Sequence, residues 1–128
     1  MKAHLTKRQP LALGYRLPAG AAAAIHAAGF TLKELVAQQF SDSLGALASG
    51  MGGGASYEGP APQDPLLVLA DFSETQLDAL LAGLRQAGAV IPLKAVLTPT
   101  NRNWTVLELL EELRREHEAV ASQRKEQT

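Results

Sequence analysis

Thr98, Thr100, Asn101, Arg102, Asn103 and Thr105 crowd hydrogen-bond donors around one permanent cation, with Pro99 and Trp104 set among them. A phosphate or carboxylate suits such a set. Guanidinium meets an oxyanion through paired N–H groups, and the amides that open a following helix point outward with partial positive charge. The expected ligand site is therefore a small-anion pocket made of Thr98, Thr100, Asn101, Arg102, Asn103, Trp104 and Thr105. For the polar side chains a plainer reading is favoured. Thr and Asn satisfy their own turn, Pro99 fixes it, and Trp104 plugs the core just ahead of a helix cap.

Other reactive residue types are sparse. His4, His26 and His117 have no ligand partner three or four residues away, and Glu116 and Glu118 flank His117 on different helical faces. The chain has no cysteine, which excludes disulfides, thiolate catalysis and cysteine-bound metal centres. No catalytic constellation, metal or cofactor is expected. Asp71, between an apolar run and a helix start, can serve as a base or cap the helix, and capping is favoured. Gly52, Gly53 and Gly54 follow no strand and read as linker, not as a phosphate cradle. Lys2, Lys7 and Arg8 lack interleaved aromatics and read as a solvated arm. A formal net charge of −1 argues against general nucleic-acid binding. Charged residues 1–10 precede no apolar core of signal-peptide length, and no run approaches membrane-spanning length, so cytoplasm is the default compartment.

A single domain of 128 residues, 46% of them hydrophobic, must position these groups. Its parts read as an arm (1–10), a first half (11–48), a Gly/Pro-rich connector (49–65), a second half with a C-terminal helix (66–121), and a polar tail (122–128) that frays. In the second half, Leu66, Leu67, Val68, Leu69 and Ala70 form a strand. Ser73 and Gln76 have capping-box spacing, and Leu77, Leu80, Leu81 and Leu84 make one helical stripe that Gly88 stops. A second strand covers residues 93–98. Thr105 and Glu108 repeat the capping box, ahead of a helix carrying Val106, Leu107, Leu109, Leu110 and Leu113 to about Ala121, with Glu111 and Arg115 as an i, i+4 pair.

The first half looks like an internal repeat of the second. Residues 11–15 are a strand, Pro18 suits the first turn of a helix that residues 21–28 continue, and Gly29 ends it as Gly88 ends the other. Leu32 and Lys33 then match Leu93 and Lys94. Residues 31–36 read as strand on that match, although Leu32, Leu35, Val36 and Phe40 also fit a helical stripe, and residues 42–49 read as a short helix. The fold class is α+β: two tandem strand-helix-strand units in a ferredoxin-like sandwich plus a C-terminal helix. The alternative is a small three-layer α/β sheet in which the 42–49 helix makes a parallel crossover. The uniformly apolar run 66–70 needs cover on both faces, from the C-terminal helix or from a second subunit.

The run Leu93, Lys94, Ala95, Val96, Leu97, Thr98, Pro99, Thr100, Asn101, Arg102, Asn103, Trp104 and Thr105 resembles a small bacterial family known as domain of unknown function 3783. Leu44, Gly45, Ala46, Leu47 and Ala48 are similar to a Leu-Gly segment near the middle of that family, which extends the resemblance over most of residues 11–117. The resemblance implies a bacterial origin and a shape; it carries no reaction. The leading expectation is a non-catalytic protein-interaction or regulatory module, acting on a protein partner or as a homodimer. The alternative is small-anion binding at the loop 98–105, with Arg102 as the charged contact. An enzyme would require Asp71, His26 or Arg102 to converge from both halves.

Overall fold

The computed structural model describes residues 9–52 and 56–126, with side chains described through residue 120. Lys2, His4, Lys7, Arg8, Gly53 and Gly54 lie outside them. The first half runs β1 (Leu11–Tyr15), α1 (Ala21–Ala27), β2 (Thr31–Glu34), a 3-10 turn (Ala37–Ser41) and α2 (Leu44–Ala48). The second runs β3 (Leu66–Ala70), α3 (Glu74–Gln86), β4 (Leu93–Val96) and α4 (Val106–Glu126). The fold is α+β.

One four-stranded mixed sheet in the order β2-β1-β3-β4 joins the halves. Each unit pairs its own two strands in parallel, and β1 meets β3 antiparallel at the centre. The first strand of each unit is central and the second lies at an edge. The ferredoxin-like pairing is not formed. That arrangement splits each unit by inserting a strand of the other, whereas here β2 stays beside β1 and β4 beside β3. Nor do residues 42–49 make a parallel crossover, because the chain beyond α2 returns as β3, antiparallel to β1.

Helices cover both faces of the sheet. Ala21 and Ile25 of α1 and Leu80 and Leu84 of α3 pack on Ala12, Leu67 and Leu69. On the other face, Val106, Leu109 and Leu110 of α4 join Phe40, Leu44 and Leu47 over Leu13, Leu66 and Val68. Every residue of β3 is consequently buried, which explains why its sequence does not alternate. Trp104 packs against this second core while half-buried, much as its place before the cap implied.

The two units share one bonding plan. Both first helices end in a left-handed glycine, Gly29 (φ 91) and Gly88 (φ 70), a conformation glycine adopts without Cβ strain. The next amide reaches back over the last turn: Phe30 N–H to Ile25 O, 3.1 Å, and Ala89 N–H to Leu84 O, 3.0 Å. These are Schellman closures. Each central strand also takes a bond from just beyond its edge strand, Leu35 N–H to Gly14 O and Leu97 N–H to Leu69 O. Where the halves meet, Ser43 and Thr105 form an antiparallel bridge. On either side of it, Leu44 N–H donates to Trp104 O at 2.9 Å and Val106 N–H donates to Asp42 O at 3.1 Å.

Several local expectations shift. Leu11 pairs with Thr31 and Leu66 with Leu93, so Thr31 corresponds to Leu93, one residue away from the match made on the Leu-Lys pairs. Strand β2 stops at Glu34, and Phe40 of the competing helical stripe lies in the 3-10 turn. Pro18 precedes α1 and accepts a bond from Ala21 N–H; Gly20 is the N-cap. Strand β4 ends at Val96. Helix α4 continues to Glu126, beyond the expected end near Ala121, because no glycine or proline stops it. Arg115 pairs with Glu112 at 2.6 Å, not with Glu111.

The connector is fastened over residues 56–65. Tyr57 N–H donates to Gln38 O at 2.9 Å, Tyr15 Oη donates to Pro62 O at 2.6 Å, and Arg114 forks onto Asp64 at 2.9 and 3.2 Å. The Arg114 hydrogen bond holds the Asp64 carboxyl below its ordinary pKa; partial burial opposes it and the Arg114 charge adds to it. A lowered folded pKa stabilises above the unfolded value and is lost as pH falls through the carboxylate range, below about pH 4. Both side chains are over a third exposed, so solvent screening limits the pair. Asp64→Asn is expected to cost about 0.2–1 kcal/mol at neutral pH, with the difference from the parent vanishing in urea melts at pH 2–3.

Candidate functional site

The loop after β4 spends most of its polar groups on itself. Thr98 N–H donates to Asn101 Oδ1 at 2.8 Å, Asn101 N–H donates to Thr98 Oγ1 at 3.2 Å, and Asn101 Nδ2 donates to Val96 O at 3.0 Å. Thr105 and Glu108 close the start of α4 reciprocally, at 2.8 and 3.1 Å. With the Val106 amide donated to Asp42 O, three amides at this helix entrance have partners within the chain, which argues against an anion held there by the helix terminus alone. The favoured reading of Thr98, Asn101 and Thr105 as turn and cap residues is the one the bonds describe.

Arg102 is different. Its carbonyl accepts Gly45 N–H at 2.8 Å, which ties the loop to α2. Its half-buried side chain has no hydrogen-bond or ion-pair partner among the described residues. It lines a cleft of 570 Å³ at the end of the sheet where β1 and β2 begin and β3 and β4 end. Leu97, Thr98 and Pro99 flank it on the same wall. Facing walls come from Gln9, Pro10 and Leu11 at the start of β1, Thr31 at the start of β2, Ala48 and Ser49 at the end of α2, and Asp71 after β3.

Of the seven loop residues expected from sequence, Thr98 and Arg102 reach this cleft. Thr100, Asn101, Asn103 and Thr105 do not line it, and Trp104 lines a separate 280 Å³ hollow among Glu108, Glu111, Glu112 and Arg115. Gln9, Thr31 and Ser49 add polar groups that sequence reasoning missed. Their convergence depends on strand register and on where α2 ends. Asp71 is exposed and left-handed (φ 64), the counterpart of Arg16 (φ 50) after β1. It does not cap α3: Ser73 does, accepting Gln76 N–H at 3.1 Å while Gln76 accepts Ser73 N–H at 2.9 Å.

Asp71 and Arg102 therefore meet on one cleft, but His26 does not join them. His26 is exposed on α1, and His117 lines another hollow, of 350 Å³, between β4 and α4. Among the described residues no group of three or more His, Asp or Glu side chains is placed to hold a metal ion, and no helix is long and apolar enough to cross a membrane.

With the carboxyl ends of β3 and β4, the loop and α4 in place, one comparison with known families bears on the chain. It resembles the family described as Domain of unknown function (DUF3783). The family model matches residues 65–120, and so takes in β3, α3, β4, the Arg102 loop and most of α4. The DUF3783 match stops short of Leu44–Ala48, the other segment likened to that family on sequence. It contributes the Arg102 wall and Asp71; Gln9, Thr31 and Ser49 lie outside it. No curated protein and no solved structure matches the chain.

Proposed function

We propose that this chain is a non-catalytic binding module whose cleft takes a small anionic ligand on Arg102. The observation that carries the reading is a half-buried arginine, Arg102, whose side chain has no charge partner among the described residues and lines a concave space large enough for a metabolite. A buried or half-buried cation gains most from an oxyanion that completes its hydrogen bonds. The Thr31, Ser49 and Thr98 hydroxyls and the Gln9 amide supply further donors around the same space. The rival reading, capture of a protein partner or a second copy, drew on the apolar run 66–70. That run is buried within the single chain by α4 and its neighbours, so it asks for no second subunit.

The test is a thermal-shift panel of phosphates, nucleotides and organic acids on the full chain, beside Arg102→Ala. At about 100 times its Kd, a ligand adds about 2.7 kcal/mol to stability, and the Arg102→Ala variant should lose that shift while keeping the parent's melting temperature without ligand. An anion that stabilises parent and variant equally would place binding elsewhere and end the proposal.

A further inference from the structure

Two residues of opposite charge line the 570 Å³ cleft, Arg102 and Asp71. They reach the same end of the sheet because β3 and β4 are parallel neighbours; Asp71 follows the first strand and the Arg102 loop follows the second. Both lie within residues 65–120, the part matched to the family. They do not pair with each other. The Arg102 side chain has no ion-pair or hydrogen-bond partner among the described residues, so the two charged ends stand farther apart than an ion pair reaches.

Each position is held through its backbone. Ala70, just before Asp71, pairs with Leu11 at the centre of the sheet, and the ring of Phe72, just after it, packs on Phe30 with centroids 4.7 Å apart. Arg102 N–H donates to Thr98 O at 3.0 Å, and the Arg102 carbonyl accepts Gly45 N–H at 2.8 Å. The sheet and the loop therefore fix the two backbone positions relative to each other.

We infer that the ligand of this cleft is a free amino acid with an aliphatic side chain, its carboxylate on Arg102 and its ammonium on Asp71. The inference rests on the reading of the cleft as an anion site and adds the second charge. A ligand that is only anionic is attracted by Arg102 and repelled by the Asp71 carboxylate, whereas a zwitterion is attracted at both ends. A carboxylate has about four acceptor positions on its oxygens, so Asp71 accepts from an ammonium beside the interaction it already makes in the chain. Pro10, Leu11, Ala48 and Leu97 give the ligand side chain an aliphatic wall.

The experiment is calorimetric titration of the full chain at neutral pH with L-leucine, isocaproate, isoamylamine and inorganic phosphate. Isocaproate is leucine without its ammonium, and isoamylamine is leucine without its carboxylate. Leucine should bind about three- to fivefold tighter than isocaproate, the worth of a solvent-exposed charge pair, and isoamylamine should bind weakest. Asp71→Asn removes the charge with a residue that tolerates the left-handed backbone, and should lose the preference for leucine. Isocaproate bound as tightly as leucine, or phosphate bound with neither carboxylate, would overturn the amino-acid inference and leave the anion site standing. A preference for leucine that survives Asp71→Asn would also overturn it. Isoamylamine bound as tightly as leucine, or no binding of any anion by the parent, would remove both readings.

Discussion

Leu110→Ala is expected to lower the unfolding free energy by about 2–5 kcal/mol, read as a reduced urea midpoint with an unchanged slope. Leu110 is fully buried in α4 on the second face of the sheet. It lies where the uniform apolarity of β3 demands cover. Leu80→Ala in α3, equally buried on the first face, should cost a similar amount. The sheet stands between the two sites, so the losses should add. Against a total of about 5–15 kcal/mol for a domain, the double variant approaches the limit of folding. If Leu110→Ala were neutral while Leu80→Ala was costly, α4 would not be the layer that closes the core.

That layer was legible in part. Leu66–Ala70 could not belong to a sheet with one wet face, and its five apolar residues announced cover on both sides before any helix was placed. The caps at Ser73 and Thr105 were legible because each is written within four residues, where side chain and amide find each other without help from the rest of the chain. Strand order was not local in this way. Nothing in β2 or β4 says which central strand it joins, and each pairs in parallel within its own unit where the ferredoxin-like arrangement would split it. The end of α4 was misread because the apolar stripe was taken as the helix. Ala119, Ala121, Gln123 and Lys125 are good helix formers and carry the backbone on past the core.

The candidate site divides along the same line. Thr98 and Arg102 sit in one loop, so their neighbourhood could be read from spacing. Thr31 and Ser49 arrive from a strand start and a helix end nearly fifty residues or more before Thr98. Asn101 and Thr105 are bonded within the loop and its helix cap, and the exposed Thr100 and Asn103 do not line the cleft. Asn101 in particular makes three bonds within six residues, which leaves Arg102 as the group whose chemistry is not consumed by the turn.

Phe40 lies three residues before the cap Ser43 and Arg102 three before the cap Thr105, and exchanging the two residue types should have opposite consequences. Phe40→Arg places a guanidinium with five donors at a fully buried site between Tyr15 and Tyr57. Burying an unpaired charge costs several kcal/mol, a large share of the whole stability, so this variant is expected to lose its cooperative melt by circular dichroism. Arg102→Phe changes a half-buried side chain on an open cleft and has no ion pair to break among the described residues. Its stability should stay within about 1 kcal/mol of the parent, while any carboxylate-dependent thermal shift disappears. The contrast separates a packing position from a binding position built on the same backbone. A Phe40→Arg chain that melted like the parent would mean that the first-half pocket tolerates a cation as readily as the second, and the open cleft at Arg102 would then be loose packing and no longer a site.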